Sequence, residues 1–379
     1  MISTIFNKFF HSEKSAGILL IACTCISLLL SNLSFGEDYI GFWNSSIAGM
    51  SVGQWINDGL MTVFFLMVGL ELERELFIGE LSKFRNAIVP VAAAAGGMLV
   101  PALIYYLFNY GSVYEKGFGI PMATDIAFSL TILSLFSNRV PFGLRIFLTA
   151  LAIADDLGAI LVIAVFYSDS ISWMYLTFAL LLFTGMFVLG KLKVYVLWPY
   201  LAGGIIMWYC MHHSGIHATI SGVLLAFAIP FGNADNGPSF KLQSFLHLPV
   251  AFIILPVFAL ANTCIRITGI GLDDLNTAGV YGTIAGLVIG KPVGIFLFTL
   301  VPKKVAGLHL PSGVNLKHIL GAGIVAGIGF TMSIFITDLA FINALYIKQI
   351  KLSILIAAFI SSVAGMMYFR LFIPATPDE

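Results

Sequence analysis

The sequence predicts an all-α polytopic membrane protein with about twelve transmembrane helices, and three observations predict it. Of 379 residues, 59% are hydrophobic and only 10% are charged, against about 25% charged in soluble domains. A chain this size lacks the volume to bury so much apolar surface internally. The apolar residues come in runs near the ~20 that a spanning helix needs, without the alternation of a transmembrane barrel. The basic residues lie mostly between the runs and mostly on one side. With 19 basic against 19 acidic residues, the net charge of zero offers no basic surface, so no nucleic-acid partner is expected.

Walking the chain places spans near residues 13–33, 57–71, 87–110, 121–136, 144–167 and 173–190. They continue near 195–211, 216–231, 248–265, 278–301, 318–337 and 350–372. Lys8 and Lys14 precede the first run, but no small-x-small cleavage site follows promptly, so this run is read as a retained span. An even span number puts both termini on one side. Counting Lys and Arg gives 14 on the side of the N-terminus and 4 on the other, with Lys291 inside a span. That bias puts both termini in the cytoplasm. Loops are short, so residues 1–379 are expected to form a single integral-membrane transporter domain. The longest outward connection, 34–56, holds Tyr39, Trp43 and Trp55 and has room for a small hairpin. Cys23, Cys25, Cys210 and Cys264 lie in or beside apolar runs, with no disulfide framework and no metal-ligand spacing.

The charges inside the runs carry the chemistry. Asp125, Asp155, Asp156 and Lys291 fall well within apolar sequence. Each costs about 2.5–3.5 kcal/mol at a helix centre, and four unpaired would cost on the order of 10 kcal/mol. They must pair, protonate, bind ions or face water. A structural ion pair accounts for one Asp and one Lys, but three acids outnumber one base. Asp155 and Asp156 are adjacent, about 100° apart on a helix. They cannot both aim at one partner, yet both can line one cavity. Burying two acids side by side penalises the doubly ionised state, which suits them to exchange a proton. Carboxylates also suit small hard cations.

Two runs are interrupted. Gly117, Gly119 and Pro121 precede Asp125, and glycine recurs through Gly321, Gly323, Gly327 and Gly329. Close helix packing explains such glycines equally well. Paired interrupted segments in two halves of a transporter, however, point to a binding site at the midplane. There Asp125 would neutralise the positive ends of half-helices, and Lys291, before Pro292, the negative ones.

These stretches, in order, resemble the bacterial NhaA family of sodium/proton antiporters: 65–76 (FLMVGLELEREL), 121–128 (PMATDIAF), 150–159 (ALAIADDLGA), 214–222 (SGIHATISG), 290–294 (GKPVG) and 329–333 (GFTMS). The resemblance covers nearly the whole chain. It implies inverted repeats and two interrupted helices that cross near the membrane centre. It implies a secondary active transporter, not an enzyme, of the bacterial inner membrane. That transporter would be electrogenic and pH-regulated, extruding Na+ or Li+ for two protons by alternating access, with no cofactor. Asp156 would be the principal cation and proton carboxylate. Asp155 would assist it and pair with Lys291 in the cation-free state, while Thr124 and Asp125 would support the site. Glu71, Arg74 and Glu75, on one helix face by spacing, would belong to a pH-responsive cluster at a cytoplasmic funnel. An exposed ion pair at the membrane boundary explains that trio equally well. A homodimer is expected through the outward segment 47–55.

One departure concerns pH response. The family's Glu-His pair stands here as Gln243 and Ser244, while the later His247 remains. His217, in the 214–222 match, is a second sensor candidate, since an unperturbed histidine titrates near 6.5. A lone helical histidine is more often a packing residue. Two other classes fit less well. An intramembrane aspartyl protease would need Gly-x-Gly-Asp and Tyr-Asp pairs that are lacking. A proton/organic-solute symporter would call for more polar and aromatic groups at the midplane.

Overall fold

The computed structural model describes residues 13–136, 138–168, 171–232, 237–267, 271–305 and 310–374. Lys8, part of the charge-bias count, lies outside them, and the side chains of Arg85, Lys303 and Lys304 are likewise outside the description.

Apolar runs without internal polar backbone partners must satisfy their own N–H and C=O groups, which only a helix does within one segment. Regular structure among the described residues is accordingly helical, apart from one two-stranded hairpin. Helix α1 is Glu13–Asn32, followed by the short α2, Gly36–Asn44. Strands β1 (Ser46–Ile47) and β2 (Met50–Ser51) pair antiparallel in the long connection. Their tight turn has positive φ at Ala48 (52°) and Gly49 (88°), which matches hairpin twist.

A helical turn, Val52–Gln54, and a π-helical segment, Trp55–Leu60, lead into α3, Met61–Phe77. Helix α4 is Phe84–Asn109. A 3-10 segment, Glu115–Met122, breaks before α5, Ile126–Leu135. Then follow α6 (Phe142–Phe166), α7 (Trp173–Lys191), α8 (Trp198–Ser214) and α9 (Ile220–Ala228). Helix α10 (Pro238–Pro249) continues through π-helical Val250–Ile254 into α11, Leu255–Asn262. Helix α12 (Ala278–Ala285) continues through π-helical Gly286–Gly290 into α13, Lys291–Val305. The chain ends with α14 (Leu316–Ala326), α15 (Phe330–Ala340) and α16 (Ala344–Phe372).

Among the described residues, eight helices are long and apolar enough to cross a bilayer, and two bent pairs bring the number to ten. The pairs are the 3-10 segment with α5, bent by 41°, and α14 with α15, bent by 46°. The chain is thus a helical multi-pass membrane protein. The two remaining expected spans, near 195–211 and 216–231, are occupied by α8 and α9, of 17 and 9 residues. Helix α9 is short because Gly215, with φ 82°, ends α8 and residues 217–219 form turns. Several expected boundaries move, among them the start of the last span, at Ala344 instead of 350. The span placed at 57–71 is helical from Val52 to Phe77, and the one placed at 248–265 begins at Pro238. Both extensions carry polar residues that pack against neighbouring helices, so hydropathy alone cut them short.

One close approach positions the site. Helix α13 packs along α4 where Gly96 faces Gly294, and a Cβ on either would strike the other's carbonyl oxygen. Small residues at such a seam let backbones meet. Here they bring the first turn of α13, with Lys291, against the middle of α6.

Candidate functional site

The two helix breaks meet each other. Asp125 N–H donates to Ile328 C=O at 2.7 Å, Ser333 Oγ to Ile120 C=O at 2.7 Å, and Ser129 Oγ to Val325 C=O at 3.2 Å. The backbone groups freed by the breaks are thus satisfied from the opposite break, as a membrane interior requires.

Asp125 sits where two helices begin. It is the N-cap of α5, and its Oδ1 accepts from Phe128 N–H at 2.9 Å. Its Oδ2 accepts from Thr331 N–H at 3.1 Å and Thr331 Oγ1 at 2.7 Å, in the first turn of α15. Each helix N-terminus carries about half a positive charge, so two of them face one carboxylate. Lys291 Nζ donates to Met122 C=O, at the carboxyl end of the 3-10 segment.

Asp155 and Asp156, both buried on α6, point to different partners because adjacent residues diverge on a helix. Asp155 Oδ2 lies 2.8 Å from Lys291 Nζ and accepts from Thr124 Oγ1 at 2.8 Å. Both side chains of the Asp155–Lys291 pair are fully buried. Asp156 instead lines a cavity of about 160 Å³ together with Thr124, Asp125, Thr331, Glu71 and His247. Among the described residues, none donates a hydrogen bond to Oδ1 of Asp155 or of Asp156. The cavity reaches toward the side where α1 begins, since Ala16, Glu71, Thr149 and His247 belong to the halves of their helices on that side. Exposed His247 stands at its rim.

The structure therefore brings Asp156, Asp125, Thr124, Glu71 and His247 to one cavity, with Asp155 and Lys291 immediately behind. Arg74 and Glu75 lie further along α3, outside the cavity lining. The Arg74 guanidinium stacks over the Phe240 ring at 5.4 Å, tying α3 to α10. His217 is elsewhere. Its Nε2 is 2.8 Å from Tyr167 C=O, on the opposite side of the protein.

Two polar groupings escaped sequence reasoning. Glu73 is buried, and its Oε2 accepts from Ser239 Oγ at 2.7 Å. The extension of α3 beyond its apolar run, and of α10 before its own, creates that contact. Lys351 pairs with Asp338 at 2.7 Å, with little exposure of either side chain. Both lie near the ends of apolar runs, and Lys351 is one of the four basic residues that the charge count puts on the outward side. Complementary charge on the consecutive helices α15 and α16 is a signal that could have found the second pair; the Glu73–Ser239 contact joins α3 to α10 and has no such signal.

Comparison with known proteins follows the same lines. The family model described as Na+/H+ antiporter 1 matches residues 7–369. A protein of Flavobacterium johnsoniae named Na(+)/H(+) antiporter NhaA 1 is 54% identical over 370 residues, covering 97% of this chain and 97% of that one. The Na(+)/H(+) antiporter NhaA of Dechloromonas aromatica is 53% identical over 376 residues, covering 98% and 97%. That of Vibrio cholerae is 44% identical over 378 residues, covering 98% and 99%.

Proposed function

Since the chain belongs to the Na+/H+ antiporter 1 family and is a sodium/proton antiporter, we propose that Asp156 is the carboxylate at which Na+ or Li+ and protons compete. The observation that carries this is the distribution of compensating charge. Asp125 faces two helix N-termini, together worth about one positive charge. Asp155 faces the Lys291 ammonium. Asp156, buried in the cavity wall, makes no ion pair among the described residues. A carboxylate with no ion-pair partner at membrane depth is expensive, so Asp156 needs an exchangeable cation: a proton, or a hard metal ion that prefers oxygen ligands. The same need couples the fluxes, because moving the empty, charged site across the membrane is the disfavoured step.

In this reading Asp155 assists. Cation entry beside Asp156 competes with Lys291 for the Asp155 oxygens, and Thr124 holds the carboxylate in place. Asp125 organises the two half-helices whose rearrangement gives alternating access. Glu71 and His247, at the cavity, carry pH response together with Arg74 and Glu75 along α3. Any contribution of His217 comes from the opposite side. Na+, Li+ and H+ are the transported ions and no cofactor is needed.

Residues 1–379 form a single transporter domain of twelve spans in the bacterial inner membrane. The lysine and arginine bias puts both termini, and the open side of the cavity, in the cytoplasm. The outward hairpin, with Ile47 exposed, joins two copies in a homodimer. Exchange of two protons per sodium would move one charge. A potential of 100 mV supplies about 2.3 kcal/mol and a tenfold gradient costs about 1.4 kcal/mol, so voltage alone would hold a sodium gradient of roughly 40-fold.

Sodium-driven pH change in proteoliposomes tests the assignment. The parent should acidify or alkalinise the lumen according to the imposed Na+ or Li+ gradient, with no response to K+ or organic solutes. Asp156→Asn should abolish the response, and full activity in that variant would sink the site assignment.

A further inference from the structure

Three helical segments run from the cavity to the other side of the protein along a common seam. On α3 and its π-helical lead, the positions are Glu71, Val68, Phe65, Met61 and Asn57. On α10–α11 they are His247, Ala251, Leu255, Phe258 and Asn262. On α15 they are Thr331, Phe335 and Asp338. The spacings of three and four residues keep each set on one helix face. The first members of each set line the cavity. The middle of the seam is closed by Met61, Phe65, Phe258 and Phe335, each at most 1% exposed, with the Phe65 and Phe335 rings 5.5 Å apart.

The far end is closed by a polar knot. Lys351 Nζ, from α16, donates to Asp338 at 2.7 Å and 3.0 Å and to Asn262 Oδ1 at 3.1 Å. Asn57 Nδ2 donates to Asp338 Oδ2 at 3.2 Å, and Asn262 Nδ2 donates to Asn57 Oδ1 at 2.7 Å. One ion pair and two amides thus tie α16 to the three segments that form the seam. A pair needed only for packing would be met as well by apolar side chains of similar size. This one sits across the mouth of the closed half of a route whose other half is open to the carboxylates.

We propose that Asp338 and Lys351, with Asn57 and Asn262, form the outer gate latch of the transport route. The latch is shut in this conformation and opens when the site turns outward. The proposal rests on the antiport reading. Opening separates α15 from α16 and parts the Phe65–Phe335 contact. It leaves the Asp338 carboxylate at the outer mouth, where an arriving cation first meets negative charge.

The test is accessibility. Met61→Cys, in a chain whose four native cysteines are serine, places a thiol between latch and aromatic plug. A charged, membrane-impermeant thiol reagent is applied to right-side-out vesicles. Asp338→Asn and Lys351→Gln should each raise the labelling rate on the order of tenfold, a usual size for bias on a two-state element. Asp338→Lys with Lys351→Asp should return it toward the parent rate. Labelling of the single variants at the parent rate overturns the latch. A rise that persists in the charge-swapped protein assigns the effect to lost packing and overturns it too. If Lys351→Gln fails to assemble, Asp338→Asn, which conserves volume, decides alone. Sodium-driven proton movement by the parent is measured in the same vesicles. Its absence counts against antiport and leaves the labelling result to judge the latch.

Discussion

Replacing Lys291 by Met tests how the buried charges are balanced. The ammonium lies 2.8 Å from Asp155 Oδ2, with no exposure of either side chain. At an effective dielectric constant near 20, charges at that distance attract by about 6 kcal/mol. Desolvating the two ions costs several kcal/mol each, so the pair as a whole contributes little net stability. Removing one partner is different, because it strands the other. Lys291→Met leaves Asp155 with the Thr124 hydroxyl alone, and such deletions cost about 3–5 kcal/mol. At about 2 °C per kcal/mol, the value for larger soluble domains, thermal unfolding in detergent should fall by roughly 6–10 °C. Adding Asp155→Asn should recover most of that loss, since the substitution removes the stranded charge and its amide oxygen still accepts from Thr124. The double-mutant cycle should then show a coupling above about 2 kcal/mol. A single variant that melts with the parent, or additive effects in the cycle, would refute the reasoning.

Three further outcomes follow from the packing. Gly294→Ala forces a Cβ into the Gly96 carbonyl. It should destabilise by about 1–3 kcal/mol and reduce transport by moving Lys291 off Asp155, whereas Gly41→Ala, in open space, should change neither. Asp125→Ala removes the cap of α5 and both bonds to Thr331. Its melting loss should exceed that of Asp125→Asn by at least about 1 kcal/mol. Replacing residues 46–51 by a short glycine linker should convert the proposed dimer to a folded monomer, measured by light scattering in detergent. A dimer that survives would place the contact elsewhere.

Much of the fold was legible because a bilayer leaves the chain few choices. Uninterrupted apolar runs gave α1, α4, α6 and α7 within a few residues. Proline and clustered glycines marked both breaks, at Pro121 and at Gly327–Gly329. The quartet of Asp125, Asp155, Asp156 and Lys291 stood out because ionisable groups at that depth are rare. What was not legible depends on partners distant in sequence. Glu73 reads as one charge among several in a polar helix end, and only Ser239, 166 positions away, makes it a buried group. Lys351 reads as an outward-side charge until α15 delivers Asp338 beside it. The π-helical stretches at Trp55–Leu60, Val250–Ile254 and Gly286–Gly290 share no residue pattern that separates them from α-helix. The shortness of α9 follows from turns after Gly215, which hydropathy does not register.

The central claim is that sodium and protons compete for Asp156. It is tested most directly by proton release from the purified protein when Na+ or Li+ is added to a weakly buffered solution at alkaline pH. The account predicts stoichiometric release that saturates with the cation, is absent with K+, and is lost in Asp156→Asn. Release from Asp156→Asn equal to that of the parent, or sodium binding with no proton released, would contradict it.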